Sequence, residues 1–173
     1  HDAAGSKYIE HLYDAVIYHR DGYPSGDDDG LCANADLYIG EEYIETNYYE
    51  GLPSVQIVKL EQKMYDNHRN IIQYMHHGNQ IDFAEYFTSD IQYAASTGHN
   101  LVSLPVLMEV KNHSGVLLRK RTATYTPQGR LLQLTAHNTS GNSLYDFTYD
   151  RYGNMDTVLQ PQNKNGQRLM YTY

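Results

Sequence analysis

From Leu104 to Tyr173 apolar and polar residues alternate in short runs broken by Gly- and Asn-rich clusters. Val106–Val110 precedes a turn at 111–115. Val116–Tyr125 follows, then a tight loop at Pro127-Gln128-Gly129, then Leu131–Thr135. Asn138–Asn142 turns into Leu144–Tyr149, the turn at 150–153 leads to Met155–Leu159, and Gln162–Gly166 turns into Arg168–Tyr173. A two-residue period joined by such turns predicts an antiparallel meander. The middle third has the same grammar in weaker form. Val55–Tyr65 reads as a strand, Ile71–Met75 and Ile81–Phe87 as strands flanking a hairpin-like turn at His76-His77-Gly78-Asn79, and Ile91-Gln92-Tyr93 leads to a loop at 96–100.

The N-terminal third leaves two readings open. Tyr8, Ile9, Leu12, Tyr13, Val16 and Ile17 have helical spacing, with Ser6 placed as an N-cap. Asp2-Ala3-Ala4-Gly5 and Tyr13-Asp14 instead echo a phrase found downstream, which predicts strands. Residues 21–36 read as an acidic exposed loop. The resulting organisation is an N-terminal segment 1–53, degenerate hairpins over 54–103, and regular hairpins over 104–173.

That phrase recurs with a period of 24 residues at Tyr125, Tyr149 and Tyr173. Tyr149-Asp150-Arg151-Tyr152-Gly153-Asn154-Met155 is the clean copy, and Tyr125-Thr126-Pro127-Gln128-Gly129-Arg130-Leu131 a degraded one. Tyr65-Asp66-Asn67-His68-Arg69-Asn70-Ile71 keeps the phrasing with Arg69 in place of glycine. A fixed period marks units that bury their apolar faces against neighbours, so the chain is expected to be a piece cut mid-repeat from a longer array. The phrase has a physical logic. Asp150 at the first corner of a type I turn accepts backbone N–H bonds, and Gly153 supplies the positive φ of a bulged hairpin. Gly153→Val is therefore expected to cost more than Gly141→Val. At Arg69 either the turn type changes or a residue carries left-handed strain of about 1–2 kcal/mol. Pro127 presets φ where the Asp is missing. The tyrosine before each turn ends a strand, and successive tyrosines are expected to stack along one sheet face, at about 0.2–1 kcal/mol per aromatic pair.

Composition sharpens this picture. There are 18 tyrosines, three phenylalanines and no tryptophan, a balance suited to half-buried sheet faces. A net charge of −8 argues against nucleic acid, which needs clustered cations. Arg119-Lys120-Arg121 is too short to change that. A single cysteine, Cys32, excludes an internal disulfide and a cysteine-based zinc site. No apolar run reaches membrane-spanning length.

The phrase Tyr-Asp-x-x-Gly-Asn/Arg-hydrophobic resembles the YD repeat of Rhs proteins, insecticidal Tc toxin components and teneurins. The wider context, from Leu104-Pro105-Val106 through Ser114-Gly115-Val116-Leu117-Leu118-Arg119-Lys120-Arg121 to Pro161-Gln162-Asn163 and Gly166-Gln167-Arg168, resembles the Rhs core of SpvB-like and Tc B-type toxin subunits. The likeness is close over 104–173, moderate over 54–93 and weak before that. It implies a segment of a curved β-ribbon that spirals into a shell around a C-terminal toxin or effector, in a secreted or surface-displayed bacterial protein. Its partners would be neighbouring repeats and the enclosed polypeptide. Self-association through edge strands is expected of an excised ribbon. Many such shells self-cleave at an Asp-Pro motif, and this chain has no Asp-Pro.

The repeat residues Tyr65, Asp66, Tyr125, Gly129, Tyr149, Asp150, Gly153, Asn154, Gly166 and Arg168 are thus architectural rather than catalytic candidates, and no cofactor is expected. Asp27, Asp28 and Asp29 before Gly30 suit a calcium ion but lack EF-hand spacing, so an acidic surface loop is the preferred account. His76-His77 tempts as a metal pair, yet neighbours on a strand point to opposite faces. Glu41, Glu42 and Glu45 with Asp36 suggest an acid dyad, but nothing fixes their separation, and Cys32 has no evident His partner. Asn112-His113-Ser114 and Asn138-Thr139-Ser140 fit both a glycosylation sequon and an ordinary turn. The rival to the wall reading is a carbohydrate- or protein-binding module that uses exposed tyrosines. A hydrolase is the least favoured, since no nucleophile–base set is readable.

Overall fold

The computed structural model describes residues 7–18, 38–79, 85–94 and 101–173, with the backbone alone described for 15–18 and 38–42. The described residues form eleven strands: β1 (Ile9–Tyr18), β2 (Tyr38–Tyr48), β3 (Ile57–Tyr65), β4 (Ile71–Asn79), β5 (Phe87–Tyr93), β6 (Pro105–Asn112), β7 (Leu117–Tyr125), β8 (Leu131–His137), β9 (Ser143–Tyr149), β10 (Met155–Leu159) and β11 (Met170–Thr172). Their order in the sheet is their order in the chain, an antiparallel meander. The loop at 21–36, Ser6, Cys32 and the loop at 96–100 lie outside the described residues.

The chain divides into two compact units, 1–90 with 111–116, and 91–110 with 117–173. In the first, β1 is a strand rather than a helix. It pairs with β2 from Ile9↔Tyr48 to Tyr18↔Tyr38, with a bulge between Asp14 and Ala15. The sequence pattern was ambiguous for a simple reason. Apolar doublets four residues apart fit a helix, but four is also a multiple of the strand period. Backbone pairing with β2 then decides. β2 pairs with β3 and β3 with β4 in turn.

The sequence places His76-His77-Gly78-Asn79 in a turn, but these residues belong to β4, which pairs with β3 as far as Lys59↔Asn79. The register slips between Lys59 and Glu61, so β4 carries one extra residue there. Gly78, at φ 57, absorbs it as a bulge. A Cβ at Gly78 would lie 2.7 Å from the Cβ of Glu85, so glycine is required by space as well as by φ. Ile81–Phe87 is not one strand either. β5 starts at Phe87, and 80–84 lie outside the described residues. Among the described residues of this unit few are buried: Leu60 and Gly78, with Asn47, Asn70 and Ser89.

In the second unit every strand predicted from the alternation is present, with ends shifted by a residue or two. Its register sorts most side chains between two faces, with Leu144 and Leu159 as exceptions on the mainly polar face and Arg121 and Ser143 on the mainly apolar one. Pairs Thr122↔Thr135, Thr124↔Gln133, Gln133↔Asp146 and Thr157↔Thr148 share the polar face. Pairs Ala123↔Leu134, Leu134↔Tyr145 and Val158↔Phe147 share the apolar one. No described residue of this unit is fully buried. A one-layer sheet of this kind leans on its hydrogen-bond ladder and half-buried rings rather than on a dry interior.

Candidate functional site

Five turns are built alike. Each starts at a residue with a short polar side chain: Asp66, Asn112, Thr126, Asp150 or Asn163. In each, the first residue's carbonyl accepts from the N–H three places on, and its own N–H donates to the carbonyl four places on. Its side-chain oxygen accepts from the N–H groups two and four places on. For Asp150 these are Tyr152 at 2.8 Å and Asn154 at 2.9 Å. For Asp66 they are His68 at 2.8 Å and Asn70 at 2.9 Å. For Asn163 they are Asn165 at 2.9 Å and Gln167 at 3.0 Å. Asn112 binds Ser114 at 3.1 Å and Val116 at 2.9 Å, and Thr126 binds Gln128 and Arg130, both at 3.2 Å. The fourth residue of each turn has positive φ: Arg69 at 71°, Gly115 at 77°, Gly129 at 82°, Gly153 at 93° and Gly166 at 75°.

Arg69 therefore keeps the common turn and carries the strain, which settles the two options its sequence left open. Thr126 itself supplies the cap, in addition to Pro127's preset φ. Where the first residue is Asp, the fifth is Asn, and its amide closes a second bond to the carboxylate: Asn70 to Asp66 at 2.9 Å, Asn154 to Asp150 at 3.1 Å. These bonds, the Asn154 amide foremost, hold the Asp150 carboxyl below its ordinary pKa.

The repeat tyrosines act through their hydroxyls. Tyr125 Oη donates to the Pro105 carbonyl at 2.9 Å, and Tyr149 Oη to the Leu131 carbonyl at 2.9 Å. Each tyrosine, at the end of one strand, is thus tied to the first residue of the strand before. Burial raises the Tyr125 pKa. The expected tyrosine stack does not form at these two positions. The Tyr149 ring instead faces the Arg130 guanidinium, 5.7 Å from its centroid, and the described ring pairs lie elsewhere, at His11–Tyr13, His76–Phe87, Tyr74–Phe87 and His77–Tyr86. A terminal hydroxyl bond sets each ring's position along the strand, and rings tied to carbonyls on separate strands have no reason to meet.

A second motif recurs once in each unit. Gln73 Nε2 donates to Asp90 Oδ1 at 2.8 Å, and Lys111 Nζ reaches Asp90 Oδ2 at 3.0 Å. Gln133 Nε2 donates to Asp146 Oδ1 at 2.9 Å, and Arg168 Nη1 reaches Asp146 Oδ2 at 2.7 Å. Both aspartates are depressed below the ordinary carboxylate range, by the Gln bond first and then the cation. Arg168 also donates to the carbonyls of Gln160, Leu144 and Leu159. Sequence reading identified Arg168, Asp150, Gly153, Asn154, Gly166, Gly129 and Asp66, and all sit in these motifs. It missed Asn112 and Asn163 as equivalents of Asp, and it missed the Gln–Asp–cation sets entirely. One signal for the latter was available. Gln73 and Gln133 each lie eight residues after a repeat tyrosine.

The other candidates are not brought together. His76 stacks on Phe87 at 5.2 Å and lies 4.0 Å from Glu61, whereas His77 packs edge-on against Tyr86 at 5.1 Å. The two imidazoles thus have separate neighbours, as strand alternation requires. Burial, then the charge of His76, lowers the His77 pKa, and His77 Nε2 has no hydrogen-bond partner among the described residues. Glu45 accepts from the Asn47 amide at 2.8 Å. The side chains of Glu41 and Glu42 are not described, and Asp36 and the calcium candidates Asp27, Asp28 and Asp29 lie outside the described residues. Among the described residues no group of three His, Cys, Asp or Glu could hold a metal ion, and no helix is long and apolar enough to cross a membrane. No family model and no curated protein matches this chain.

Proposed function

We propose that the chain is a non-catalytic wall segment of a large secreted or surface-displayed bacterial YD-repeat protein, whose repeats enclose a C-terminal toxin or effector polypeptide. One observation supports this above all. The polar side chains at repeat positions are spent on the backbone, in five turns of one design. Asp150 and Asp66 accept N–H bonds rather than facing a cleft, and Tyr125 and Tyr149 tie neighbouring strands together. Such residues serve a sheet that continues by repetition. The test uses the parent protein with whatever follows this segment. The downstream polypeptide should resist protease when attached and be digested rapidly when expressed alone. Equal digestion rates would sink the proposal.

The outermost strands bear on partners. β1 and β11 each have one neighbour in the sheet order, and Ile9, Leu12, Leu169 and Met170 beside them are exposed. Open edges flanked by apolar side chains pair with other strands. The isolated chain is expected to self-associate as its concentration rises, and a monomeric mass by light scattering at high concentration would contradict this.

A further inference from the structure

The two faces of the second unit treat their cations differently. On the polar face Lys120 is paired with Glu109 at 2.8 Å and Arg168 with Asp146 at 2.7 Å. Arg119 and Arg121 alternate with Lys120 along β7, and so belong to the apolar face. Both are exposed, and neither has an ion pair among the described residues. Two residues apart on one strand, they lie about 7 Å from each other on the same side. Like charges so placed repel, and an interposed carboxylate relieves them. Beside them Ala123, Leu134, Tyr145, Phe147 and Val158 form a half-exposed apolar row with no second layer among the unit's described residues. An antiparallel sheet normally packs its apolar face on something.

We propose that this face is a docking surface for an acidic, amphipathic stretch of another polypeptide. Its apolar side chains would cover the Leu134–Tyr145–Phe147 row, and its carboxylates would meet Arg119 and Arg121. Charge complementarity selects this occupant. The chain as a whole carries −8, so an unpaired arginine pair at the margin of an apolar surface gives that surface a sign opposite to the rest of the molecule. Rim charges of this kind set specificity and encounter rate, while the apolar centre supplies affinity. Nucleic acid fits poorly, because two cations on a chain of net charge −8 cannot track a phosphate backbone. The inference stands on the two faces of the sheet and does not require the wall reading.

The test is fluorescence anisotropy on the whole chain with two labelled peptides of about twelve residues, one alternating Leu and Glu, the other Leu and Lys. The Leu–Glu peptide is expected to bind at least about tenfold more tightly, and to lose about tenfold in affinity when Arg119→Glu and Arg121→Glu are combined. Both positions are exposed, so an unchanged melting temperature verifies that the variant folds. Amide hydrogen exchange should slow in β7 to β9 when the Leu–Glu peptide binds. Equal binding of the two peptides, undiminished binding by the charge-reversed variant, or no binding would each overturn the proposal. So would light scattering that shows a second copy of the chain occupying the face and excluding the peptide. Failure here would leave protease protection in the parent protein unaffected, which keeps the two proposals separable.

Discussion

A short acceptor side chain and one residue of positive φ define each repeat turn, and they make separate contributions. The acceptor satisfies two backbone N–H groups that the turn would otherwise leave to water. Removing it by Asn112→Ala should cost about 1 kcal/mol. Asn138→Ala should cost less, because the Asn138 side chain only donates to Ser143 Oγ, at 3.2 Å. Thermal melts of the two variants compare them directly, and equal shifts would argue against the cap. The positive φ is charged for in strain when the residue is not glycine. Arg69, at φ 71, is such a residue. Arg69→Gly relieves about 1–2 kcal/mol of strain and returns about 0.5–1 kcal/mol in chain entropy, a net gain of up to about 1.5 kcal/mol. A lower melting temperature for this variant would mean that the arginine side chain contributes more than the strain removes. Gly141 is at φ 128 and Gly153 at φ 93, so valine is strained at both. A Cβ at Gly153 would also run into the Arg130 guanidinium, while one at Gly141 meets nothing within 4 Å. Gly153→Val is therefore still expected to cost more.

At the scale of strands, the sets centred on Asp90 and Asp146 lock register where the backbone ladder alone allows slippage. Gln133 and Asp146 are direct cross-strand partners, as are Gln73 and Asp90, so a shift of one residue would break each pair. Arg168 adds to this by spanning β9 and β10 from the segment before β11, with four bonds from its guanidinium. Lysine keeps the charge but lacks the fork. Arg168→Lys is expected to lose roughly 1–3 kcal/mol of local stability. The loss should appear as faster amide exchange in β10 and β11, with β7 and β8 little changed. Uniform acceleration across the unit would show that Arg168 does not act locally.

Legibility from sequence followed the same division. The hairpins after Leu104 could be read because one face is apolar and the other polar, which makes the two-residue period visible, and because glycine marks four of the five repeat turns. β1 could not be read, since its doublets satisfy both periods. β4 was cut short because His76-His77-Gly78-Asn79 has the composition of a turn, while the bulge that absorbs Gly78 depends on a partner strand that sequence does not display. In the Gln–Asp–cation sets only the glutamine has a local mark, eight residues after a repeat tyrosine, while its aspartate and cation come from separate segments of the chain. Among the candidate site residues, those fixed by local turn chemistry are legible, and Asn112 and Asn163 escape a search for Asp because an amide oxygen caps the turn as a carboxylate does.

For the whole molecule, stability should depend on pH through groups whose environments differ, among them two aspartates, a histidine and a tyrosine. Asp90 and Asp146 have depressed pKa values in the fold. On acidification the unfolded chain therefore takes up protons before the folded one. Their contribution is complete above the ordinary value of about 4 and is lost as pH falls through the folded value. His77 is lowered as well, by burial first. Its neutral form belongs to the fold, so a shallower loss begins already below about 6.5. Tyr74 moves the other way. Burial first, then its bond to Glu61, raise it to about 12. The contribution of Tyr74 is whole below about 10 and disappears as pH climbs toward 12. A plot of melting temperature against pH should thus be flat from about 7 to 10, fall gently on the acid side, steepen near 4, and fall again in alkali. Substitutions assign each limb. Asp146→Asn should flatten part of the steep acid limb and leave the alkaline one intact. Tyr74→Phe should flatten part of the alkaline limb, which the raised Tyr125 shares, and leave the acid one. His77 and Tyr74 lie in the first unit and Asp146 in the second, so resolved unfolding of the two units would add a sharper expectation. Alkali should loosen the first unit through Tyr74, and Asp146→Asn should alter the acid response of the second alone. A curve whose limbs ignore both substitutions would remove Tyr74 and Asp146 from any part in the stability of the sheet.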